Sequence, residues 1–248
     1  MSVLLFNMYQ GQKIIVVLPA YNAAKTLTQT VNDLPSLVDQ VILVDDFSHD
    51  ETVKIAQDLG LSIVRHANNK GYGANQKSCY QAALEQGGDI IVMIHPDYQY
   101  DPKLVKYFAE FIGDGYFDVM LGTRIRSRRE ALAGGMPLYK YLFNRFLTII
   151  ENLVSGLNLS EWHTGMRAYK REVLEKIAWS KNSNDFVFDS QILFQIAAQH
   201  YRIGEIPVPV RYFPEASSIN FRRSCRYGLG TLAVVLSYLI NKDRWRGH

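Results

Sequence analysis

Cysteine is nearly absent from this chain. Its 248 residues hold two, Cys79 and Cys225, far apart and without C-x-x-C spacing. That excludes a disulfide framework and a cysteine-based zinc knuckle, and makes reduced thiols in a cytoplasmic setting the expectation. The glycine-rich nucleotide loops are missing too. A dinucleotide fingerprint needs G-x-G-x-x-G straight after the first strand, where this chain reads PAYNAAKT (19–26), and there is no G-x-x-x-x-G-K-[ST] loop. Hydride transfer and P-loop phosphoryl transfer are therefore disfavoured. Long hydrophobic runs are also lacking. The longest near the end, LGTLAVVLSYLI (229–240), falls short of the roughly 20 residues a bilayer-spanning helix needs. The opening MSVLLFNMYQGQK has neither a basic start nor a small-residue cleavage site, so it is not read as a signal peptide.

What is present is ordinary globular composition, 48% hydrophobic and 21% charged, with a net charge of +3 that is unevenly spread. Basic residues gather in TRIRSRRE (123–130) and again at Arg222, Arg223, Arg226, Lys242, Arg244 and Arg246. Such runs read as solvated surface or as attraction to phosphates or an anionic membrane face. They are not interleaved with stacking aromatics, so nucleic acid is not an expected partner.

Strand-like and helix-like segments alternate along the first half. KIIVVLP (13–19), QVILVDD (40–46), LSIVRH (61–66), DIIVMIH (89–95) and FDVMLGT (117–123) are short apolar runs rich in β-branched residues, and helical stretches follow the first four. This predicts an α/β fold with a doubly wound, mostly parallel sheet. Later come a helical stretch at 136–156, a helix near 188–199, short strands RIGEIP (202–207) and VPVRYF (208–213), and a basic amphipathic helical segment over 221–248. In the 136–156 stretch the stripe of Leu138, Leu142, Phe146, Ile149, Ile150 and Leu153 is widened by Tyr139, Tyr141, Phe143 and Leu147. That width predicts burial against the core, the alternative being contact with lipid or an apolar acceptor.

Ligands of open parallel sheets bind at the carboxyl ends of the strands. Those ends carry Pro19-Ala20-Tyr21-Asn22, Asp45-Asp46, His95-Pro96-Asp97 and Gly122-Thr123-Arg124. Carboxylates, an imidazole and an arginine on one edge point to a metal and a phosphorylated ligand. Gly71-Tyr72-Gly73, after the third strand, reads as a source of backbone amides for a ligand or as a helix entry.

The ordered motifs VVLPAYNAAKTL, VILVDDFSHDET, NKGYGANQK, HPDYQYDP, LGTR, HTGMRAYKREVL and IPVPVRY resemble the family 2 nucleotide-sugar glycosyltransferases of GT-A fold. The branch most similar is the dolichyl- and polyprenyl-phosphate sugar synthases, and the resemblance runs from about residue 13 to 220. It implies a Rossmann-like GT-A domain over 1–220 with additional C-terminal helices, inverting transfer, and a Mn²⁺ or Mg²⁺ ion. It also implies a UDP- or GDP-sugar donor. Pro19, Ala20, Tyr21, Asn22, Asp45, Asp46 and Gly73 would serve the nucleotide, with Asp45 bonding a base N–H and Asp46 suiting a turn as well. HPDYQ (95–99) falls where the family carries a D-x-D-x-Q metal motif. His95, Asp97 and Gln99 would then be the metal set, with an imidazole replacing the first acid. That departure leaves three outcomes: an altered metal preference, a weaker site, or catalysis helped by cationic residues.

The resemblance gives the acceptor phosphate to Arg124 and Arg145, with Arg167 either serving similarly or forming a structural ion pair, and an anionic acceptor needs no strong base. A hydroxyl acceptor on a saccharide or glycoconjugate would need one, from Glu161 or Asp189. Asp97, Glu161 and Arg124 are thus the expected catalytic residues, and His163 is either a site residue or a structural histidine. A non-catalytic nucleotide-sugar-binding module is the remaining alternative. The apolar 136–156 helix and basic C-terminal segment suggest peripheral contact with the cytoplasmic face of a membrane.

Overall fold

The structure, a computed structural model, describes residues 8–124, 137–209 and 221–246. Five strands fall where the apolar runs predict them: β1 (Ile14–Ala20), β2 (Gln40–Asp45), β3 (Ser62–Arg65), β4 (Ile90–Met93) and β5 (Val119–Thr123). Two more are β6 (Arg167–Lys170) and β7 (Ile203–Pro207). They form one seven-stranded sheet in the order β3-β2-β1-β4-β6-β5-β7.

The sheet is buried on both faces because consecutive side chains point to opposite sides. Ile14, Val16 and Leu18 of β1 face α1 (Leu27–Asn32), α2 (Thr52–Asp58) and α4 (Val105–Gly113), packing with Leu27, Ala56 and Phe108. Ile15 and Val17 face α3 (Tyr72–Glu85) and α7 (Phe188–Ala198), packing with Tyr80, Ala83, Phe188 and Ile192.

The sheet is mostly parallel, as expected, with one antiparallel strand. β6 lies between β4 and β5 and is antiparallel to both, with Arg167 opposite Met93 on one side and Leu121 on the other. Its four residues, RAYK, form no apolar run, so the sequence pattern does not announce a strand. The chain leaves β5 at Arg124, passes through α5 (Leu138–Ser155), and re-enters the sheet at the edge where β4 ends. Residues 157–166 are therefore drawn across the carboxyl ends of the strands. The short helix α6 (Arg171–Lys176) follows β6. Of VPVRYF, Val208 and Pro209 are not in a strand and the rest lies outside the described residues, as does most of the basic run 123–130.

The expected burial of α5 is overturned. Among its side chains only Leu147, Thr148 and Glu151 are buried, while Leu138, Leu142, Phe146, Ile149 and Leu153 form an outward stripe, Leu153 being 78% exposed. The C-terminal helix α8 (Phe221–Ile240) crosses close to α5, and a side chain at Gly228 would collide with the ring of Phe143. Its Val234, Val235 and Tyr238, with Trp245 beyond it, join the core under the sheet, so this segment is not set apart from the main domain. Its Leu229, Leu236, Leu239 and Ile240 are exposed. Among the described residues no helix is long and apolar enough to cross a membrane.

Candidate active site

Three strand exits turn sharply at one sheet edge, each through a non-glycine residue with left-handed backbone: Asn22 (φ 53°), Phe47 (φ 67°) and Tyr98 (φ 57°). Such residues cluster where surrounding bonds over-determine the backbone. Here the Asn22 N–H donates to Ser48 Oγ (2.8 Å) and its Oδ1 accepts from the His49 N–H (2.9 Å), tying the first exit to the second. Thr26 Oγ1 donates to the Pro96 carbonyl, tying the first to the fourth. Pro19 and Ala20 form the buried end of β1, and Tyr21 is half exposed beside them.

The two aspartates at the end of β2 do different work. Asp45 is fully buried, accepts long bonds from the Ser48 N–H (3.2 Å to each oxygen), and lies 3.7 Å from Arg65 Nε. Asp46, expected also to serve the nucleotide, is a staple. Its oxygens accept from the Lys70 N–H (2.8 Å) and Gly71 N–H (3.0 Å), and Oδ1 lies 2.7 Å from His66 Nδ1. Gly73 is likewise corrected. Its N–H donates to the Asn184 carbonyl (2.9 Å), and an added Cβ would sit 2.5 Å from the Ser183 carbonyl oxygen. It is glycine because two backbones meet there, not because a ligand does.

At the β4 exit the Gln99 N–H donates to Asp97 Oδ1 (3.1 Å), which fixes the carboxylate over the turn, and Gln99 itself is buried. His95 stacks on Tyr72 (ring centroids 5.6 Å apart) and fills the space that Gly165 leaves open, where an added Cβ would meet its Cδ2 at 2.8 Å. Burial holds the His95 imidazole below its ordinary value, with Asp97 pulling the other way, so the ring is neutral at physiological pH. A neutral imidazole and a carboxylate two residues apart suit a divalent ion whose other ligands are phosphate oxygens. Among the described residues no group of three or more His, Cys, Asp or Glu side chains could hold an ion unaided.

Beyond the turn lies a cationic cluster. Arg124 donates to Glu161 through its backbone N–H (2.9 Å to Oε2) and Nε (2.9 Å to Oε1), and its Nη2 also meets Glu161 Oε1. Asn144 Nδ2 donates to the same Oε1 (3.1 Å), and Arg145 Nη1 to the Ser160 carbonyl (2.6 Å). Lys140 lies one helical turn before Asn144 on α5. Burial first, and the Arg124 charge second, hold its ammonium below the ordinary lysine value.

Both carboxylates the sequence offers as bases are engaged. Glu161 is fully buried under Arg124. Asp189 accepts from Tyr72 Oη (2.9 Å) and Gln76 Nε2 (3.1 Å) and pairs with Arg167 Nη2 at 3.4 Å. Arg167 therefore does not reach an acceptor. It has no exposed surface, and its guanidinium donates to the carbonyls of Thr164, Trp162 and Asp189. Burial is the largest single influence and disfavours its charge, but Asp189 together with Tyr169, Tyr72 and Tyr80 outweighs it, leaving the pKa above the ordinary arginine value. His163 is a bonded histidine, its Nδ1 paired with Tyr227 of α8, while its Nε2 lies beside Glu151 of α5 without a hydrogen bond to it. Lys140, Asn144, Glu151 and Tyr227 were not anticipated. Glu151 had a signal, being the only acid within the apolar 138–155 stretch.

The family model described as "Glycosyl transferase family 2" matches residues 15–178, about two thirds of the chain. The chain belongs to glycosyl transferase family 2. As a member of that family it is a glycosyltransferase. It is 29% identical over 206 residues to a dolichyl-phosphate hexose transferase of Haloferax volcanii, covering 82% of this chain and 85% of that protein. It is 28% identical over 218 residues to a UDP-N-acetylglucosamine–dolichyl-phosphate N-acetylglucosaminyltransferase of Methanococcus voltae, covering 80% and 86%. Among solved structures, glucosyl-3-phosphoglycerate synthase of Mycobacterium tuberculosis with UDP superposes with a TM-score of 0.72 at 20% identity, over 93% of this chain and 81% of that one. The same synthase with Mn²⁺, UDP-glucose and phosphoglyceric acid also gives 0.72, at 20% identity over 93% and 80%. The expected GT-A architecture of this family-2 glycosyltransferase is thereby met.

Proposed function

We propose that this glycosyltransferase moves a sugar from a nucleotide sugar, with inversion, onto a polyprenyl phosphate. The observation that carries the reading is that Glu161 and Asp189 are both locked into arginine pairs. A hydroxyl acceptor needs a carboxylate to take its proton, whereas a phosphate oxygen is already anionic and needs only to be held. Arg124, Lys140 and Arg145 supply that hold. The names of the Haloferax and Methanococcus relatives support the same acceptor class.

On the donor side, Asp45 suits the base, Tyr21 and Asn22 the ribose edge, and Asp97 with His95 and Gln99 the diphosphate end. Asp97 and His95 would hold Mn²⁺ or Mg²⁺, which neutralises charge on the departing diphosphate when bound. The chain's own part is to fix Asp97 through the Gln99 amide and to keep His95 neutral and stacked. Arg124, oriented by Glu161, holds the attacking phosphate close to that end. The outward stripes of α5 and α8, flanked by exposed Arg226, Lys242, Arg244 and Arg246, suit an anionic bilayer carrying the acceptor.

The test is transfer of radiolabelled sugar from UDP- and GDP-sugars to a short polyprenyl phosphate, with Mn²⁺ or Mg²⁺. Label moving into the organic phase, and lost in Asp97→Ala, is expected. Transfer only to water-soluble saccharide would overturn the acceptor assignment.

A further inference from the structure

The C-terminal helix reaches the cationic cluster through one side chain. Tyr227 Oη lies 2.5 Å from His163 Nδ1, with the two rings edge to face at 5.3 Å between centroids. Burial, with Glu151 and Asp189 nearby, pushes the Tyr227 phenol far above the ordinary tyrosine value, so it keeps its proton. On the far side of the ring, His163 Nε2 lies 3.1 Å from Glu151 Oε2 without hydrogen-bond geometry. Glu151 is fully buried and its Oε1 accepts from Ser190 Oγ (2.8 Å). The imidazole is thus bonded from α8 alone and only abutted by α5. The backbone carbonyl of the same His163 accepts from Arg124 Nη2 at 2.5 Å.

We infer that Tyr227 is a positioning residue for Arg124. By fixing the His163 ring, it fixes the carbonyl on which the guanidinium rests. Glu161 holds the Nε side of Arg124 and the His163 carbonyl holds an Nη2 bond, so the plane of the guanidinium is set by two anchors. Losing the Tyr227 bond loosens one of them. The segment stays in place through other bonds, since Glu205 accepts from the Ser160 N–H (2.8 Å) and Arg167 donates to the Trp162 carbonyl (3.1 Å). Tyr227→Phe therefore removes an anchor without unfolding the loop. The kinetic consequence rests on the reading of Arg124 as a phosphate-holding residue; the positional one does not.

Two measurements on the full chain test it. In the arginine Nε–H spectrum of ¹⁵N-labelled protein, with the Arg124 peak assigned by Arg124→Lys, Tyr227→Phe is expected to shift or broaden that peak. The Arg171 and Arg202 peaks should stay. Glu151→Gln, which removes the charge 3.1 Å from the ring's other nitrogen, should do the same. An Arg124 peak unmoved in both variants overturns the inference. In steady-state transfer, Tyr227→Phe is expected to raise KM for polyprenyl phosphate about three- to tenfold, the equivalent of one hydrogen bond, with donor KM unchanged. In an Arg124→Ala background the Tyr227 effect should vanish, and an undiminished effect there counts against positioning. If Arg124→Ala leaves acceptor KM unchanged, the acceptor reading fails, and the Nε–H spectrum alone decides the positional one.

Discussion

Arg124 grips Glu161 three times, its backbone N–H on Oε2 and its Nε on Oε1, each at 2.9 Å, and its Nη2 also on Oε1. A carboxylate held this way orients a cation and has little left with which to accept a proton from a substrate. Glu161→Gln keeps the shape and one acceptor oxygen. It is expected to lower kcat/KM about tenfold, the worth of a charge-assisted bond, while leaving the form of the pH–rate profile unchanged. A general base would instead cost about 10²- to 10⁴-fold and take the acidic limb of the profile with it. Arg124→Ala should cost more than Glu161→Gln, chiefly through acceptor KM.

His95→Asp restores the first acid of the metal motif at a position where the native group is neutral. The added charge suits a harder ion that prefers oxygen ligands. The expected outcome is a rise in Mg²⁺-supported turnover relative to Mn²⁺, measured as the ratio of rates at saturating metal. A ratio that does not move would remove His95 from the ligand set.

Phe146 and Leu153 point outward from α5 without covering any of the core. Replacing both by glutamate should abolish sedimentation with anionic vesicles at low salt. Turnover on a short, water-soluble polyprenyl phosphate should stay within about twofold, because surface changes of this kind seldom move stability by more than ~0.5 kcal/mol.

Gly73→Ala places a methyl within 2.9 Å of Ser183 and Asp185 carbonyl oxygens and Phe188 Cβ. The loop before α7 must then retreat from α3. A loss of about 1–3 kcal/mol in denaturant-measured stability is expected, as for other overpacked sites.

Asp118 joins the start of β5 to Arg202, which donates to it through its backbone N–H, Nε and Nη2. The Arg202 bonds hold its carboxyl below the ordinary 3.8, against a smaller opposing effect of burial. A depressed carboxylate adds stability above its unfolded pKa and loses it as pH falls through the folded one. Asp118→Asn should therefore cost about 0.5–1 kcal/mol at neutral pH, the low figure reflecting the exposed Arg202. The difference from the parent protein should begin to narrow as pH drops below about 4 and close only below the depressed folded value.

The parallel part of the sheet was legible because burial on both faces writes itself as a run of β-branched residues, and Ile14–Ala20 is such a run. β6 was not, because a four-residue strand containing a buried arginine has no such pattern; its docking depends on Asp189, 22 residues further on. The outward stripe of α5 was misjudged for a related reason. Periodicity locates an apolar face without saying what covers it. At the site, residue types at strand exits were readable, whereas their use was not. Asp45 and Asp46 are adjacent and alike in sequence, and only the arrival of His66, Lys70 and Gly71 assigns Asp46 to structure.

The detour that inserts β6 also sorts the site along the gene. In the reading proposed here, every donor-side residue lies between Pro19 and Gln99, and Arg124, Lys140, Asn144, Arg145, Glu161 and His163 all fall within one later stretch. A short 3-10 turn (Pro102–Leu104), α4 and β5 lie between the two blocks. A graft of residues 124–166 from a relative is therefore a contiguous cassette exchange, able to change what receives the sugar while the donor half is inherited intact.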